Sequence, residues 1–335
     1  YWDFLWMRHQ QLLTRFPDDW GILWIEPLVV PTIFMWLKNP STVFRRHGNI
    51  RIVSAPFLPI FDRHGFSRRL NDLFVLLLTR FYMRMFRIRN PILLIYNPRF
   101  VSAIGKLHES LVCFDYVDDL TEFTGIPEWF ERYLDLALRK ADLVFAVSHV
   151  LVEKVAEKRE RVFLLTNGVD TDHFAKALKD IQLPSVFKRI KKPVIGYVGV
   201  LEDWIDFPLL KSIAATYPNY SIVLIGPAHP RVLEDVKELE RFPNVFYLGK
   251  VPYETLPNYL RGIDLCIVPF KINNLTKAAN PIKVYEYLAS GKRIVSSAVP
   301  EIEKLKVVKT ANDTDEFISQ ISESLCEPPD SIRFL

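Results

Sequence analysis

The sequence predicts an α/β protein with two domains, each built on a parallel sheet that is covered by helices. Short apolar runs of strand length alternate with segments of helical periodicity along the chain, as in doubly wound sheets. The 335 residues, 49% of them hydrophobic and 24% charged, suffice for two cores. A charged, proline-containing stretch at 175–192 predicts a linker between an N-terminal domain at 1–174 and a C-terminal domain at 193–335.

The first domain is predicted to begin with a helix and to continue through buried strands. Residues 1–16 have helical spacing and end at the turn that begins with Pro17. The strand signals are continuous apolar runs, which are typical of parallel strands buried on both faces. Strands are predicted at 21–27, 50–54, 92–96, 110–115, 143–148 and 161–165, and helices at 127–141 and 150–158. Because the chain begins inside a helical pattern, we expect a short segment to precede Tyr1.

The second domain repeats the alternation of strands and helices. Strands are predicted at 194–199, 222–226, 245–248, 265–270 and 293–297. Helices are predicted from Pro208 onwards, at 281–290 and at 313–325. This order predicts a second doubly wound sheet.

The composition excludes several classes of site. The net charge is +4 and the three cysteines lie far apart, so we expect neither a disulfide framework nor a cysteine metal site. The seven histidines show no metal-ligand spacing, and there is no phosphate-binding glycine loop or nucleophile elbow. We therefore expect a cytoplasmic protein that requires no metal and no cofactor.

The positive charge is concentrated at residues 63–89. This stretch contains seven arginines, including Arg63, against Asp72 alone, and its leucines and aromatic residues keep helical spacing. One interpretation is a helix that lies in a membrane interface beside anionic headgroups. The other is a core-facing helix with an arginine-rich solvent side. No nucleic-acid-binding motif accompanies the charge, and no apolar run reaches the roughly 18 residues of a membrane span.

The helix predicted at 281–290 carries the most specific chemistry. Asn280 and Pro281 favour a helix start and Gly291 favours its end. Lys283 and Glu286 lie three residues apart and therefore on one side of the helix. A helix N-terminus with a lysine suits a phosphate, and a carboxylate one turn later suits a sugar diol. A solvated surface ion pair is the simpler alternative.

The pattern Asn-Pro-x-Lys-x-x-Glu-Tyr-Leu-Ala-x-Gly-Lys at 280–292, followed by a strand, resembles the donor-binding signature of GT-B glycosyltransferases. It is most similar to the family 4-like group that includes teichuronic acid biosynthesis enzymes. The segments 141–148, 166–174, 196–206 and 244–251 resemble further parts of that family in the same order. The resemblance implies two Rossmann-like domains facing a cleft, the first binding a glycan or lipid-linked acceptor and the second a nucleotide-sugar donor.

The resemblance also assigns residues to the donor. Lys283 and the helix start would hold the diphosphate, and Glu286 would accept the ribose hydroxyls. Gly199 would allow the backbone to approach the ligand, and the backbone at Lys250 and Val251 would line the base pocket. The helix start comprises Asn280, Pro281 and Ile282.

Two departures from the family stand out. Asp203, Trp204 and Asp206 occupy a loop in which many members have a phosphate-binding lysine, which leaves Lys277 and Lys283 as candidate cations. Ala278 stands where the first of two acidic residues is expected.

In the first domain, Asp118 and Asp119 follow a strand at its carboxyl end, where open α/β sheets bind ligands. They are candidate catalytic residues that accept the acceptor's proton or bind its hydroxyls. A helix cap is the alternative. Arg8 lies in a segment that resembles the subgroup's first loop and helix, and is a candidate for phosphate or acceptor contact.

The sequence therefore predicts a hexosyltransferase-type glycosyltransferase that acts, with retention and without a metal, on a lipid-linked or cell-surface polysaccharide acceptor. Peripheral association with the inner face of an anionic membrane through 63–89 is part of this interpretation. A sugar-nucleotide epimerase or hydrolase of the same fold, or a non-catalytic binding subunit, stays open.

Overall fold

The computed structural model describes residues 2, 5–28, 44–56, 65–123 and 125–327. The chain divides into two compact units, Tyr1–Leu165 and Thr166–Leu335. Among the described residues, no helix combines the length and the hydropathy that a membrane-spanning segment needs.

The first unit contains two sheets. In chain order its strands are β1 (Ile22–Leu28), β2 (Phe44–His47), β3 (Ile50–Pro56), β4 (Ile92–Ile95), β5 (Leu111–Tyr116), β6 (Leu143–Ala146) and β7 (Phe163–Leu164). Strands β1, β3 and β2 form one sheet in that order, with β2 antiparallel to β3. Strands β4 to β7 form a parallel sheet in sequence order. Ladder hydrogen bonds thus place the carboxyl ends of β4, β5 and β6 at one edge, where Asp118 and Asp119 follow β5.

Helices cover these sheets. They are α1 (Arg8–Leu13), α2 (Gly65–Met85), α3 (Trp129–Lys140) and α4 (His149–Ala156). Helix α3 buries the apolar side on which Phe130, Leu134 and Leu138 recur at four-residue spacing. Ser148 caps α4, since its hydroxyl accepts a hydrogen bond from the Leu151 backbone N–H.

The second unit is a single doubly wound sheet. Its strands are β8 (Val194–Val198), β9 (Ser221–Ile225), β10 (Val245–Gly249), β11 (Leu265–Val268), β12 (Arg293–Ser297) and β13 (Lys309–Ala311). They are parallel and lie in the order β10-β9-β8-β11-β12-β13. The order reverses between β8 and β11, and ligands of such sheets bind beyond the carboxyl ends of the strands at this switch point.

The helices of the second unit alternate with its strands. They are α5 (Thr171–Phe174), α6 (Phe207–Thr216), α7 (Leu233–Leu239), α8 (Leu256–Arg261), α9 (Asn274–Lys277), α10 (Ile282–Ala289), α11 (Pro300–Glu303) and α12 (Thr314–Cys326). Strands β8, β9 and β11 are buried throughout, as their continuous apolar sequences require.

The division between the units differs from the predicted boundary. It lies before the segment 166–174, which the sequence assigned to the first domain, and the predicted linker packs as part of the second unit. Phe174, Ala177 and Ile190 are buried in the core of that unit, and this burial draws the segment into it. The N-terminal helix is also shorter than predicted, and strands β2 and β13 were not predicted.

Candidate functional site

Helix α10 lies where the sequence placed it. Pro281 is its N-cap residue, with an extended ψ of 113°, and the helix runs from Ile282 to Ala289. Gly291 has a φ of +65°, which a residue without Cβ adopts readily. The Lys292 N–H donates to the Tyr287 carbonyl at 2.9 Å and thereby closes the C-terminus. Both predicted ends are confirmed to within one residue.

A buried tyrosine fixes α10 to the central strand. The Tyr287 hydroxyl accepts a hydrogen bond from the Val198 N–H at 2.7 Å and donates one to the Val198 carbonyl at 3.0 Å. The ring is completely buried. The two bonds hold α10 against the carboxyl end of β8. Sequence analysis did not predict these two bonds, because the partner of the hydroxyl lies 89 residues away along the chain and leaves no local signal.

Replacing Tyr287 with phenylalanine is expected to destabilise the second unit. The substitution keeps the ring but leaves the Val198 N–H and C=O without this partner, which costs about 1–3 kcal/mol of unfolding free energy. Denaturant unfolding of the wild type and the variant measures the loss. A control is Tyr247→Phe on β10, a half-buried position for which a change within about 0.5 kcal/mol is expected.

Lys283 occupies the switch point. Its Nζ lies 5.2 Å from the ring centroid of Tyr197, on β8, and 4.8 Å from that of Phe270, just beyond β11. These contacts are cation–π interactions. Burial lowers the pKa of Lys283 to about 8, although the charge of Glu286 opposes this shift. The ammonium is therefore largely charged at neutral pH, in surroundings that solvate it poorly.

Two glycines allow close packing of the backbone around this lysine. Gly199 follows β8 with a φ of +151°, and a Cβ built there would lie 2.6 Å from Lys283 Cε. Gly226 follows β9, and a Cβ built there would lie 2.0 Å from the Gly199 carbonyl oxygen. Side chains at either position would collide with the neighbouring segment. Close approach of the Gly199 backbone to a ligand stays a prediction. Gly226 was not singled out from the sequence, although it follows its strand as Gly199 does.

Glu286 lies one turn after Lys283 and is 8% exposed. Among the described residues, none donates a hydrogen bond to its carboxylate. Burial raises its pKa to about 7, while the Lys283 charge acts in the opposite direction. A buried carboxylate without donors is costly in a folded protein. Its position suits a ligand that supplies the missing donors.

Asn280 ties the helix start to the segment before α5. Its Oδ1 accepts from the Asn167 N–H at 3.3 Å, and its carbonyl accepts from Asn167 Nδ2 at 2.5 Å. Its Nδ2 donates to the Tyr285 hydroxyl at 3.1 Å. Asn280 therefore positions the N-terminus of α10. The N–H groups of Ile282 and Lys283 lie in its first turn, where the helix itself provides no carbonyl acceptor for them.

Lys250 and Val251 follow β10, which is separated from β8 by β9. Lys250 is exposed, and Val251 packs against the core of the unit. The backbone of Gly249, just before them, accepts from the Gly226 N–H at 2.8 Å. Gly226 in turn lies against Gly199, so Lys250 and Val251 are connected to Gly199 through Gly249 and Gly226. Their role in binding a base stays a prediction.

The acidic loop after β8 has partners of its own. Asp206 caps α6 by accepting from the Leu209 N–H at 2.9 Å. Glu202 and Asp203 pair with Arg231 at 3.2 and 3.3 Å. Ala278, at the predicted position of an acidic residue, is 2% exposed at the C-cap of α9. The carboxylates of Glu202, Asp203 and Asp206 thus stabilise the loop. The loop itself contains no cationic residue in place of the lysine that the family resemblance predicts there.

In the first unit the two neighbouring aspartates have different surroundings. Asp119 accepts hydrogen bonds from Tyr116 at 3.0 Å, Thr121 at 2.6 Å and Lys154 at 2.6 Å. Burial opposes its ionisation, yet these donors hold the pKa of Asp119 below its ordinary value. For Asp118, burial and then the Asp119 charge raise the pKa to about 7. Asp118 is thus the better candidate base, whereas three donors already occupy the Asp119 carboxylate. A catalytic role for either residue stays a prediction.

Arg8 has a partner inside the first unit. Its Nε lies 2.8 Å from Asp115 Oδ2 and its Nη2 lies 3.1 Å from Asp115 Oδ1. Both side chains are buried, and burial raises the pKa of Asp115 although Arg8 opposes this. The bidentate pair fixes α1 to the end of β5. Contact of Arg8 with a phosphate or an acceptor stays a prediction that this pairing does not favour.

The structure thus brings Lys283, Gly199, Glu286 and the start of α10 together at the switch point. Asp118 lies in the other unit, beyond β5. Within the described ranges, no group of three or more histidine, cysteine, aspartate or glutamate side chains could hold a metal ion.

Comparisons with known proteins agree with this architecture. Residues 192–327 match the family described as Glycosyl transferases group 1. The Bacillus subtilis (strain 168) protein TuaH, which carries the name of a teichuronic acid biosynthesis glycosyltransferase, is 30% identical over 173 residues. That match covers 50% of this chain and 43% of TuaH, so the chain spans less than half the length of this relative.

Solved structures share the fold over most of the chain. The E. coli trehalose-6-phosphate protein bound to UDP-2-fluoro glucose is similar with a TM-score of 0.69 and 13% identity, over 98% of this chain and 90% of that one. Anabaena HepE, solved with UDP and glucose, is similar with a TM-score of 0.63 and 17% identity, over 92% and 90%. The chain therefore has the GT-B fold, and its residues 192–327 match the glycosyl transferases group 1 family.

Proposed function

We propose that this chain is a glycosyltransferase that moves a sugar from a nucleoside-diphosphate sugar to an acceptor. The observation that carries the proposal is the pairing of Lys283 with Glu286 on successive turns of α10, at the switch point of the second unit. A cation beside a helix N-terminus suits a diphosphate. A buried carboxylate without donors suits a vicinal diol.

The donor would lie along the first turns of α10. The Lys283 ammonium and the N–H groups of Ile282 and Lys283 would bind the diphosphate and stabilise the charge that develops as the sugar leaves. Glu286 would accept two hydrogen bonds from the ribose. Structural relatives solved with UDP or UDP-2-fluoro glucose support a nucleotide-sugar donor. Because these groups supply positive charge directly, we propose that no metal is required.

The acceptor would be a glycan, either lipid-linked or part of a cell-surface polysaccharide, and the first unit would bind it. The name of the TuaH relative supports this acceptor class. Asp118 would accept the proton of the attacking hydroxyl, since a base with a pKa near 7 is well matched to neutral pH. Retention of configuration, a cytoplasmic location and peripheral association with an anionic membrane through 63–89 are further parts of the proposal.

A thermal-shift screen of uridine, guanosine, adenosine and thymidine diphosphate sugars tests the donor site. At least one of them is expected to raise the melting temperature, as binding to the folded state alone requires. The absence of any shift would favour a non-catalytic subunit, a possibility that Ala278 and the missing lysine leave open. Product analysis with and without added glycan then separates a transferase from an epimerase or hydrolase.

Donor affinity is expected to fall above pH 8. Lys283 must be charged to bind the diphosphate, and its pKa of about 8 means that the free protein loses this charge as the pH rises through 8. The dissociation constant should then rise by up to about tenfold per pH unit. Titration of the stabilising nucleotide sugar between pH 7 and pH 9.5, roughly the range that spans this pKa, measures the effect. A Lys283→Arg variant, which stays charged, should show a flat profile.

A further inference from the structure

Helix α2 has two apolar faces, and only one of them is buried. The buried face includes Val75, Leu76 and Met83. Val75 packs against Ala55, and Leu76 and Met83 pack against Leu107. This face accounts for the helix as a core element, which was one of the two interpretations that the sequence left open.

The other face consists of large apolar side chains that are between 43% and 75% exposed. We call this set the exposed stripe: Phe66, Leu70, Leu73, Phe74, Leu77, Phe81 and Met85. The spacings of three and four residues place them on one side of the helix. They extend along its whole length of about 30 Å. Scattered exposed apolar residues need no explanation, but a contiguous stripe of this length does.

The charged residues of α2 at the edge of the stripe are arginines. Arg69, Arg80 and Arg84 are exposed, and the helical repeat of about 3.6 residues places them along one edge of it. Arg80 also donates to the Lys106 carbonyl at 2.8 and 3.1 Å, which holds its guanidinium at this edge. The only acidic residue of α2 is Asp72, which points away from the stripe and bonds with Arg99 and Tyr133.

We propose that the exposed stripe lies in the interface of an anionic lipid bilayer, with α2 parallel to the membrane plane. The apolar side chains would enter the boundary between headgroups and acyl chains, and the arginine edge would contact lipid phosphates. A second copy of this chain is a poorer occupant, because pairing two such faces brings arginines together without any acidic partner. The membrane and core interpretations thus apply to opposite faces of the same helix.

This inference deepens the proposed function, since it names the face of residues 63–89 through which the chain would lie on the membrane and reach a lipid-linked acceptor. Only the link to a lipid-linked acceptor rests on the proposed function, because membrane binding follows from the exposed apolar side chains and the arginines of α2. Vesicle binding can therefore be measured without any donor or acceptor.

Flotation of the full chain with vesicles tests the inference. The wild type is expected to float with vesicles of phosphatidylcholine mixed with phosphatidylglycerol, and much less with phosphatidylcholine alone. The triple variant Leu73→Ser/Leu77→Ser/Phe81→Ser should bind at least about tenfold more weakly. The variant Arg69→Gln/Arg84→Gln should lose roughly fivefold per arginine on the anionic vesicles.

A matched control replaces exposed apolar residues of the second unit, in the variant Leu178→Ser/Leu233→Ser/Val307→Ser, and should float like the wild type. Circular dichroism confirms that each variant is folded. The inference is overturned if the wild type stays unbound, or if the stripe variant and the control bind equally. It is also overturned if the wild type is a dimer that the stripe variant converts to a monomer without vesicle binding. A wild type that does not float, but that a nucleotide sugar still stabilises, contradicts this inference and leaves the proposed function intact.

Discussion

Replacing Glu286 with alanine is expected to abolish stabilisation by nucleotide sugars while leaving the free protein at least as stable as the wild type. Two charge-assisted hydrogen bonds to the ribose are worth about 1.5–3 kcal/mol each, so their loss weakens binding by roughly 10²- to 10⁴-fold. Thermal shift and calorimetric titration with the nucleotide sugar that stabilises the wild type measure both quantities.

The stability of the free variant follows from the pKa of Glu286. In the unfolded chain this carboxyl ionises near its ordinary pKa, whereas in the folded protein its pKa is about 7. The ionised form therefore costs stability, and the cost grows as the pH rises from the unfolded to the folded value and is complete above pH 7. Alanine removes this cost. At pH 8 the free variant should melt at the same temperature as the wild type or higher.

The exposed Glu240 provides the control for this substitution. A Glu240→Ala variant should bind the donor normally, because its side chain lies at the surface after α7. Normal donor affinity in the Glu286→Ala variant would contradict the assignment of this site. A low affinity that came with a lowered melting temperature would instead indicate a general loss of structure.

Replacing Asp118 with asparagine is expected to lower turnover by roughly 10²- to 10⁴-fold, the usual contribution of a general base. Donor affinity should not change, since the donor residues lie in the second unit. Release of nucleoside diphosphate at saturating donor measures turnover. The wild-type rate should fall below pH 7, where Asp118 becomes protonated. The residual rate of the variant should not show this decrease at acidic pH.

Asp119 serves as the comparison because it is adjacent and carries the same functional group. Asp119→Asn should weaken the hydrogen bonds from Lys154 and Thr121 and destabilise the first unit by about 1–3 kcal/mol, with a smaller effect on turnover at a temperature where the variant is folded. If Asp119→Asn removed turnover and Asp118→Asn did not, the two roles would be reversed.

The parts of the site that the sequence predicted are those fixed by local chemistry. Asn280-Pro281 and Gly291 constrain the backbone by themselves, so both ends of α10 could be read from neighbouring residues. The strands that are continuous apolar runs could likewise be predicted from their own residues. The relation between Lys283 and Glu286 followed from helical spacing alone.

The parts that could not be predicted depend on residues far along the chain. Asp118 and Asp119 have the same side chain, and the difference between them arises largely from Lys154, which follows 35 residues later and adds its hydrogen bond to those from the nearby Tyr116 and Thr121. Helix α2 shows the same limit. Its periodicity revealed apolar residues, but only packing against β3 and residues near Leu107 decides which of them are buried.

The position of Phe174 determines where the second unit can be cut as an independent fragment. A fragment that begins at 166 retains Phe174 in the core and the hydrogen bond between Asn167 and Asn280. A fragment that begins at 193, as the proline-containing stretch suggests, lacks both. Loss of one buried phenylalanine costs about 3–5 kcal/mol, a large share of the stability of an ordinary domain. The longer fragment is therefore the one suited to isolated structural and binding work on this unit.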